Sequence, residues 1–175
     1  MIISLACIKK MVDELALKIQ APETLLPAYG TYFEEAQPYI DIDHNGQLYL
    51  LANERGNEIY RYLALDLDDL LYHVFDSVTL SMATKYELAD RVAGQDSRRI
   101  WFVEQERLLG MLNVKWQLKK QQNHTQILIG YPFDDWARDR VAYYQKLISQ
   151  RMHSGEEWLV ACEKYPWPNK QSTTN

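Results

Sequence analysis

A long run of apolar residues at helical spacing, from Leu67 to Ala89, constrains the fold of this chain more than any other feature of its 175 residues. The apolar positions recur at i, i+3, i+4 and i+7 over about seven turns, which places them along one side of a helix. They are Leu67, Leu70, Leu71, Val74, Phe75, Val78, Met82, Tyr86 and Ala89, and Leu80, Ala83 and Leu88 add a second apolar side. We predict a central core helix over residues 66–92, with Asp66 as its N-terminal cap.

The preceding segment, residues 39–65, has a hydrophobic period of two, which is typical of strands. Ile40 and Ile42 alternate with polar residues, and turns are predicted at residues 45–46 and 55–57. In the last strand Ile59, Leu63 and Leu65 alternate with two tyrosines. The pattern predicts a three-stranded antiparallel meander, whose apolar face needs helices to cover it.

Helical patterns occur on both sides of these two elements. Residues 4–20 are predicted to form a helix, and residues 22–38, with three prolines, to be mostly loop. Later helices are predicted from Asp96 or Ser97, from Asn113 with Trp116 inward and Lys119 and Lys120 outward, from residue 134 or 135, and around residues 158–162. We expect an α+β fold, a meander packed against about five helices, with one domain over residues 1–165 and a disordered tail over residues 166–175.

Charge is unevenly distributed along the chain. Residues 1–80 hold 13 acidic and 5 basic side chains, whereas residues 81–175 hold 11 acidic and 14 basic ones. An acidic surface repels phosphates and attracts cationic proteins, so we expect a basic protein partner and no direct binding of nucleic acid; a surface that only aids solubility is the alternative. Two distant cysteines and no apolar run of membrane-spanning length predict a cytoplasmic protein without membrane contact.

Few residues suggest catalysis. His73 lies one helical turn from Asp69 and close to Asp76, a spacing suited either to a base with its orienting carboxylate or to a histidine on a helix surface. The sequence contains no serine nucleophile elbow, phosphate-binding loop or dinucleotide fingerprint. We therefore expect no enzyme, cofactor or metal site, and a protein that acts by binding.

Two arginine-containing motifs are interpreted as structural. Glu54, Arg55 and Gly56 form a charged turn in which the glycine supplies an unusual backbone angle, with presentation of Arg55 to a carboxylate as the alternative. A second group consists of Arg91, Arg98, Arg99 and Trp101. Its arginines lie close in sequence to Glu104 and Glu106, which predicts a buried guanidinium–carboxylate network beneath the sheet.

Six short motifs occur in an order and spacing that carry a family resemblance. They are Pro-Tyr-Ile-Asp-Ile-Asp, Glu-Arg-Gly-Asn-Glu, Asp-Leu-Asp-Asp-Leu-Leu-Tyr-His-Val-Phe, Tyr-Glu-Leu-Ala-Asp-Arg, Gln-Asp-Ser-Arg-Arg-Ile-Trp-Phe and Tyr-Pro-Phe-Asp-Asp. Over about residues 38–135 the chain resembles the immunity protein 63 family of bacterial polymorphic-toxin systems. The resemblance implies a cytoplasmic antitoxin that binds a cognate toxin domain, and it supplies no catalytic residues.

The acidic half of the chain is the predicted toxin-binding region. Its candidate residues are the carboxylates of Glu34, Glu35, Asp41 and Asp43, with Tyr32 and Tyr39 as aromatic anchors. A basic toxin, for example a nuclease, would suit this charge. The alternatives are an acidic partner on a basic surface with Arg138, Arg140 and Lys146, a small hydrolase using His73, and a non-enzymatic scaffold or regulator.

Overall fold

The computed structural model describes residues 3–30, 36–150 and 155–168. In these residues the helices are α1 (Leu5–Ile19), α2 (Leu67–Ala89), α3 (Arg98–Leu112), α4 (Val114–Gly130), α5 (Ala137–Ser149) and α6 (Glu157–Lys164), with a 3₁₀ turn at Glu23–Leu25. The strands are β1 (Ala28–Tyr29), β2 (Tyr39–Ile42), β3 (Leu48–Glu54) and β4 (Asn57–Leu63). The α+β class is as predicted.

In the described part of the chain the sheet has four strands in the order β1-β2-β3-β4, one more than predicted. Strands β2, β3 and β4 form the predicted antiparallel meander, while β1 pairs in parallel with β2. The N–H of Ala28 donates to Pro38 O at 2.9 Å, and the N–H of Gly30 donates to Ile40 O at 2.8 Å. Residues 22–38 were expected to be mostly loop because a two-residue strand leaves no periodic pattern in the sequence.

Helix α2 forms the centre of the structure. Asp66 caps it as predicted, because its carboxylate accepts a hydrogen bond from the N–H of Asp69 at 2.9 Å. The helix packs against both β3 and α3. The main core cluster combines buried side chains of α2, such as Leu70 and Phe75, with residues of α1, the sheet, α3 and α4. The stacked rings of Phe75 and Trp116, 6.3 Å apart, join α2 to α4.

Helix α4 buries more polar groups than its sequence predicted. Trp116, Lys120 and His124, spaced four residues apart, are all buried. Lys120 was expected to face outward, but it forms an ion pair with Asp76 of α2. Lys119 does stay partly exposed, with its ammonium 3.8 Å from the centroid of the Tyr72 ring. The expected orientation of Lys120 was wrong because the acid that neutralises it lies 44 positions earlier in the chain.

An ion-pair cluster links the start of α3 to the segment before α5. Asp96 accepts hydrogen bonds from the Arg98 guanidinium and from the N–H of Asp134, and Arg98 also donates to the carbonyls of Tyr131 and Pro132. Burial alone would raise the pKa of Asp96, but these hydrogen bonds outweigh it and lower the pKa.

The arginines therefore have other partners than predicted. Arg99 pairs with Asp135, and Arg91 pairs with Glu87. The two glutamates that the sequence suggested as partners pair instead with Arg107 and His124. Arg98 and Arg99 stabilise the junction of α3 with the 131–135 segment, and Arg91 binds near the end of α2, so the predicted network with Glu104 and Glu106 is wrong.

The α5–α6 pair is anchored by Arg140, which is buried despite its charge. Its guanidinium pairs with Asp134 and donates to the carbonyls of Tyr165 and Pro166. It also lies 4.0 Å from the centroid of the Trp167 ring.

No helix among the described residues is long and apolar enough to cross a membrane.

Replacing Phe75 with alanine tests the central position of α2. Phe75 is fully buried in the core cluster, so Phe75→Ala should lower the free energy of unfolding by about 3–5 kcal/mol. Leu88→Ala on the same helix removes an exposed side chain and should change it by about 0.5 kcal/mol or less. Equilibrium denaturation by urea measures both. A loss below about 1 kcal/mol for Phe75→Ala would contradict the assigned core.

Candidate partner-binding surface

The sheet has one face covered by helices and one face turned away from them. Ile40, Leu48 and Leu50 belong to the core cluster beneath α1 and α2. Because successive residues of a strand point to opposite faces, the intervening residues lie on the other face, here called the outer face. In register across β2, β3 and β4, it carries one row of Asp41, Tyr49 and Leu63, and a second row of Tyr39, Leu51 and Arg61.

Two carboxylates dominate the charge at the β2 end of the outer face. Asp41 Oδ1 accepts the N–H of Ile42 at 2.8 Å, and Asp43 Oδ1 accepts the N–H groups of Asn45 and Gln47 at 2.9 and 2.8 Å. The hydrogen bond from Gln47 is the main reason that the pKa of Asp43 is lowered. Among the described residues no lysine or arginine forms an ion pair with Asp41 or Asp43. Both negative charges are therefore available to attract a cation.

The β4 end of the outer face is closer to neutral. Glu58 and Arg61 form a two-pronged ion pair with N–O distances of 2.8 and 2.6 Å. The same guanidinium lies 5.3 Å from the centroid of the Tyr49 ring. Leu63, next to Tyr49 in the row, is 47% exposed. The outer face thus combines an acidic end with an aromatic and aliphatic end, a composition that suits a protein partner.

The predicted site residues divide into three groups. Asp41 and Asp43 lie together on the outer face, partly exposed. Tyr39 lies on the same face, but it is only 8% exposed and its hydroxyl accepts a hydrogen bond from the Asn53 amide at 2.7 Å. It is therefore part of the packing of the sheet rather than an accessible anchor. The remaining three, Tyr32, Glu34 and Glu35, lie outside the described residues.

The two motifs interpreted as structural occupy defined places. Arg55 and Gly56 have φ angles of 50° and 81°, so the β3–β4 turn uses two left-handed residues, as tight hairpins require. Within the described residues Arg55 forms no ion pair, and both Arg55 and Glu54 are exposed. Trp101 is partly buried at an edge-to-face contact with Phe102, at a centroid distance of 4.3 Å.

Strand β4 presents its side chains in a way that the sequence did not predict. The alternation suggested that Ile59, Leu63 and Leu65 form the apolar face, but Tyr62 joins the core instead. The three aliphatic residues are 53%, 47% and 90% exposed. An irregular pairing at Ala52–Asn53 changes the register at the start of β4. The result is an exposed edge strand with aliphatic side chains in solvent.

His73 lies in a groove of about 400 Å³ between α2 and the sheet, which Tyr60, Asp76 and Ser77 also line. Its Nε2 is 3.7 Å from Asp69 Oδ1, too far for a hydrogen bond, and burial lowers its pKa. Asp76 is held by Lys120 and by Gln105. Ser77 lies inside α2, where the backbone N–H groups are used by the helix and cannot form an oxyanion hole. The groups suggested for catalysis are near one another but are not arranged for acyl transfer.

The sequence did not predict that a second histidine, His124, pairs with Glu106. Its Nδ1 lies 2.6 Å from Glu106 Oε1, and its ring stacks on Phe102 at 3.7 Å. Burial lowers the pKa of His124 more than Glu106 raises it, so the neutral ring is favoured. The available signal was its position four and eight residues after Lys120 and Trp116, on one face of α4.

Metal binding has no structural support in the described part of the chain, where no three histidine, cysteine, aspartate or glutamate side chains converge. The accessible polar and apolar groups are instead of the kinds that contact a protein partner. It consists of two uncompensated carboxylates, an ion pair beside a tyrosine, and an exposed apolar edge strand.

Comparison with known proteins gives one match. Neither the curated proteins nor the solved structures contain a match to the chain. Residues 44–126, which include β3, β4, α2, α3 and most of α4, match the model of the family described as Immunity protein 63. The resemblance predicted from the sequence over about residues 38–135 is thus confirmed over residues 44–126, which are similar to this family.

Proposed function

We propose that this protein is an antitoxin that neutralises a cognate polymorphic-toxin domain by binding it. The observation that carries the proposal is the match of residues 44–126 to the immunity protein family. This stretch also contains the exposed edge strand β4 and the central helix α2. The outer face supports it with uncompensated carboxylates beside accessible aromatic and aliphatic groups. Such a surface can hold a protein without any chemical step.

The charge of the outer face favours a basic toxin. Asp41 and Asp43 have no cationic partner among the described residues, so their field extends into solvent. Nucleases carry cationic surfaces that bind phosphates, and an acidic protein competes for such surfaces. A nuclease is therefore the toxin class that we propose. Electrostatic attraction would raise the association rate and so shorten the time for which free toxin acts.

A small hydrolase remains a second candidate because a groove does contain His73, Asp76 and Ser77. Against it stand the 3.7 Å separation of His73 and Asp69, the ion pair that occupies Asp76, and the position of Ser77 inside a helix.

A scaffold or regulator without a toxin would use the same binding surface but would not protect cells from a toxin. Co-expression with the toxin domain encoded by the adjacent gene separates these functions: an antitoxin restores growth and co-purifies with the toxin.

Reversing the two outer-face carboxylates should slow binding. In the Asp41→Lys, Asp43→Lys double variant the surface changes by four charge units, so association with a basic toxin should slow by about tenfold and depend less on salt. The dissociation rate should change less, since these residues act mainly before contact. Stopped-flow or surface-plasmon measurements at two salt concentrations give both rates.

The matched control is the Asp90→Lys, Glu163→Lys double variant. It makes the same change in total charge at exposed positions on the helical part of the molecule, at the ends of α2 and α6. Its association rate should stay above that of the outer-face variant by at least about threefold, because attraction falls off with distance. Equal rates for the two double variants would remove the outer face as the docking region and would direct attention to Arg138 and Lys146.

The role of His73 distinguishes binding from hydrolysis. His73→Ala removes the imidazole from the groove and leaves the outer face intact, so the variant should protect cells as well as the original chain does. Its folding and its affinity for the toxin are measured alongside, because the ring packs on Tyr62 at a centroid distance of 3.9 Å. Loss of protection by a variant that still folds and binds would contradict the binding mechanism and support the hydrolase.

A further inference from the structure

Strand β4 has one edge paired and one edge free. It pairs with β3, and in the described part of the chain no strand lies on its other side. The N–H of Ala64 donates to Leu48 O, which fixes the phase of the antiparallel ladder. In such a ladder successive residues point alternately toward and away from the neighbouring strand, so the N–H and C=O groups of Arg61 and Leu63 point to the free edge.

The free edge has a defined end. The N–H of Leu65 is taken by the Asp69 carboxylate at 3.1 Å, so a ladder on this side can extend along β4 only as far as Leu63. Six of the seven residues of β4 are exposed, and its one partly buried residue, Tyr62, belongs to the core. Nothing among the described residues covers this edge. A long exposed edge of this kind is a template for another strand.

Exposed side chains that could contact an added strand lie on both sides of the free edge of β4. On the outer face are Leu63 and the Glu58–Arg61 ion pair. On the helix side, Tyr60 and Leu80 are 44% and 41% exposed. A strand added beside β4 would place alternate side chains over the outer face and over Tyr60 and Leu80. Main-chain hydrogen bonds then supply affinity, and the side chains on the two sides supply specificity.

We propose that an extended segment of the toxin adds to the sheet as a fifth strand beside β4. This inference rests on the proposed antitoxin function and names the way in which the toxin is held. The segment that fits has aliphatic or aromatic residues alternating with lysine or arginine. Residues 41–66 carry five acidic residues against two arginines, and Glu58 already neutralises Arg61. A second copy of this chain would bring the same excess of acid to the interface, so charge favours a cationic partner.

A proline substitution isolates the main-chain hydrogen bond. Leu63→Pro removes the N–H that points to the free edge, while the β3 ladder does not use that group. Leu63→Val also shortens the side chain but retains the N–H. Affinity for the toxin domain encoded by the adjacent gene should be about tenfold or more weaker for the proline variant than for the valine variant. Equal affinities of the two folded variants would overturn the fifth-strand arrangement.

Amide hydrogen exchange in the unaltered chain keeps the inference testable even if Leu63→Pro does not fold. In the free protein the amides of Arg61 and Leu63 should exchange quickly, and in the toxin complex both should slow by about a hundredfold or more. A complex in which they still exchange quickly would overturn the edge inference and leave the antitoxin function standing. Slow exchange at high protein concentration without toxin would identify a second copy as the occupant and also overturn it. Absence of any toxin binding would remove the proposed function itself.

Discussion

Burial of α2 against both the sheet and the helices α3 and α4 is the constraint on which the rest of the structure depends. Its buried side chains, which include Leu70, Val74 and Phe75, pack against β3 and against α3, whereas Leu80 and Leu88 of the predicted second apolar side are exposed. Phe75 and Trp116 extend the same core into α4. On the outer face Tyr39 and Leu51 are buried, whereas Asp41 is partly exposed and Leu63 and the edge of β4 remain exposed. The surface proposed for the toxin is therefore a consequence of how the core is built.

The groups that could carry chemistry are used to hold this core together. Asp69 accepts hydrogen bonds from the Tyr62 hydroxyl and the Leu65 amide, and Asp76 is held by Lys120. His124 is paired with Glu106 under a stacked phenylalanine. Buried polar groups need such partners, because each one left unpaired destabilises the fold. The remaining accessible groups are the carboxylates and the free strand edge, which we propose as the toxin-binding surface.

The sequence predicted the elements whose pattern is local. The limits of α1, the start of α2 and the three antiparallel strands follow from periodicity, turns and one cap, and these agree with the structure. Helix α2 ends at Ala89 rather than at the predicted residue 92. Contacts between distant segments left no local pattern. They include the pairing of β1 with β2, the pairing of Arg99 with Asp135 across 36 positions, and the inward orientation of Lys120. The exposure of Leu63 depends on which face of β4 the helices cover, which alternation alone does not specify.

A titration of toxin activity tests most directly whether this protein acts by binding. A fixed amount of the proposed cognate toxin domain is mixed with increasing amounts of the protein, and the remaining toxin activity is measured after short and long incubation. Binding predicts a sharp loss of activity that ends at a fixed molar ratio and does not move with time. Progressive loss of toxin activity at far smaller amounts of the protein would show turnover and would contradict the account.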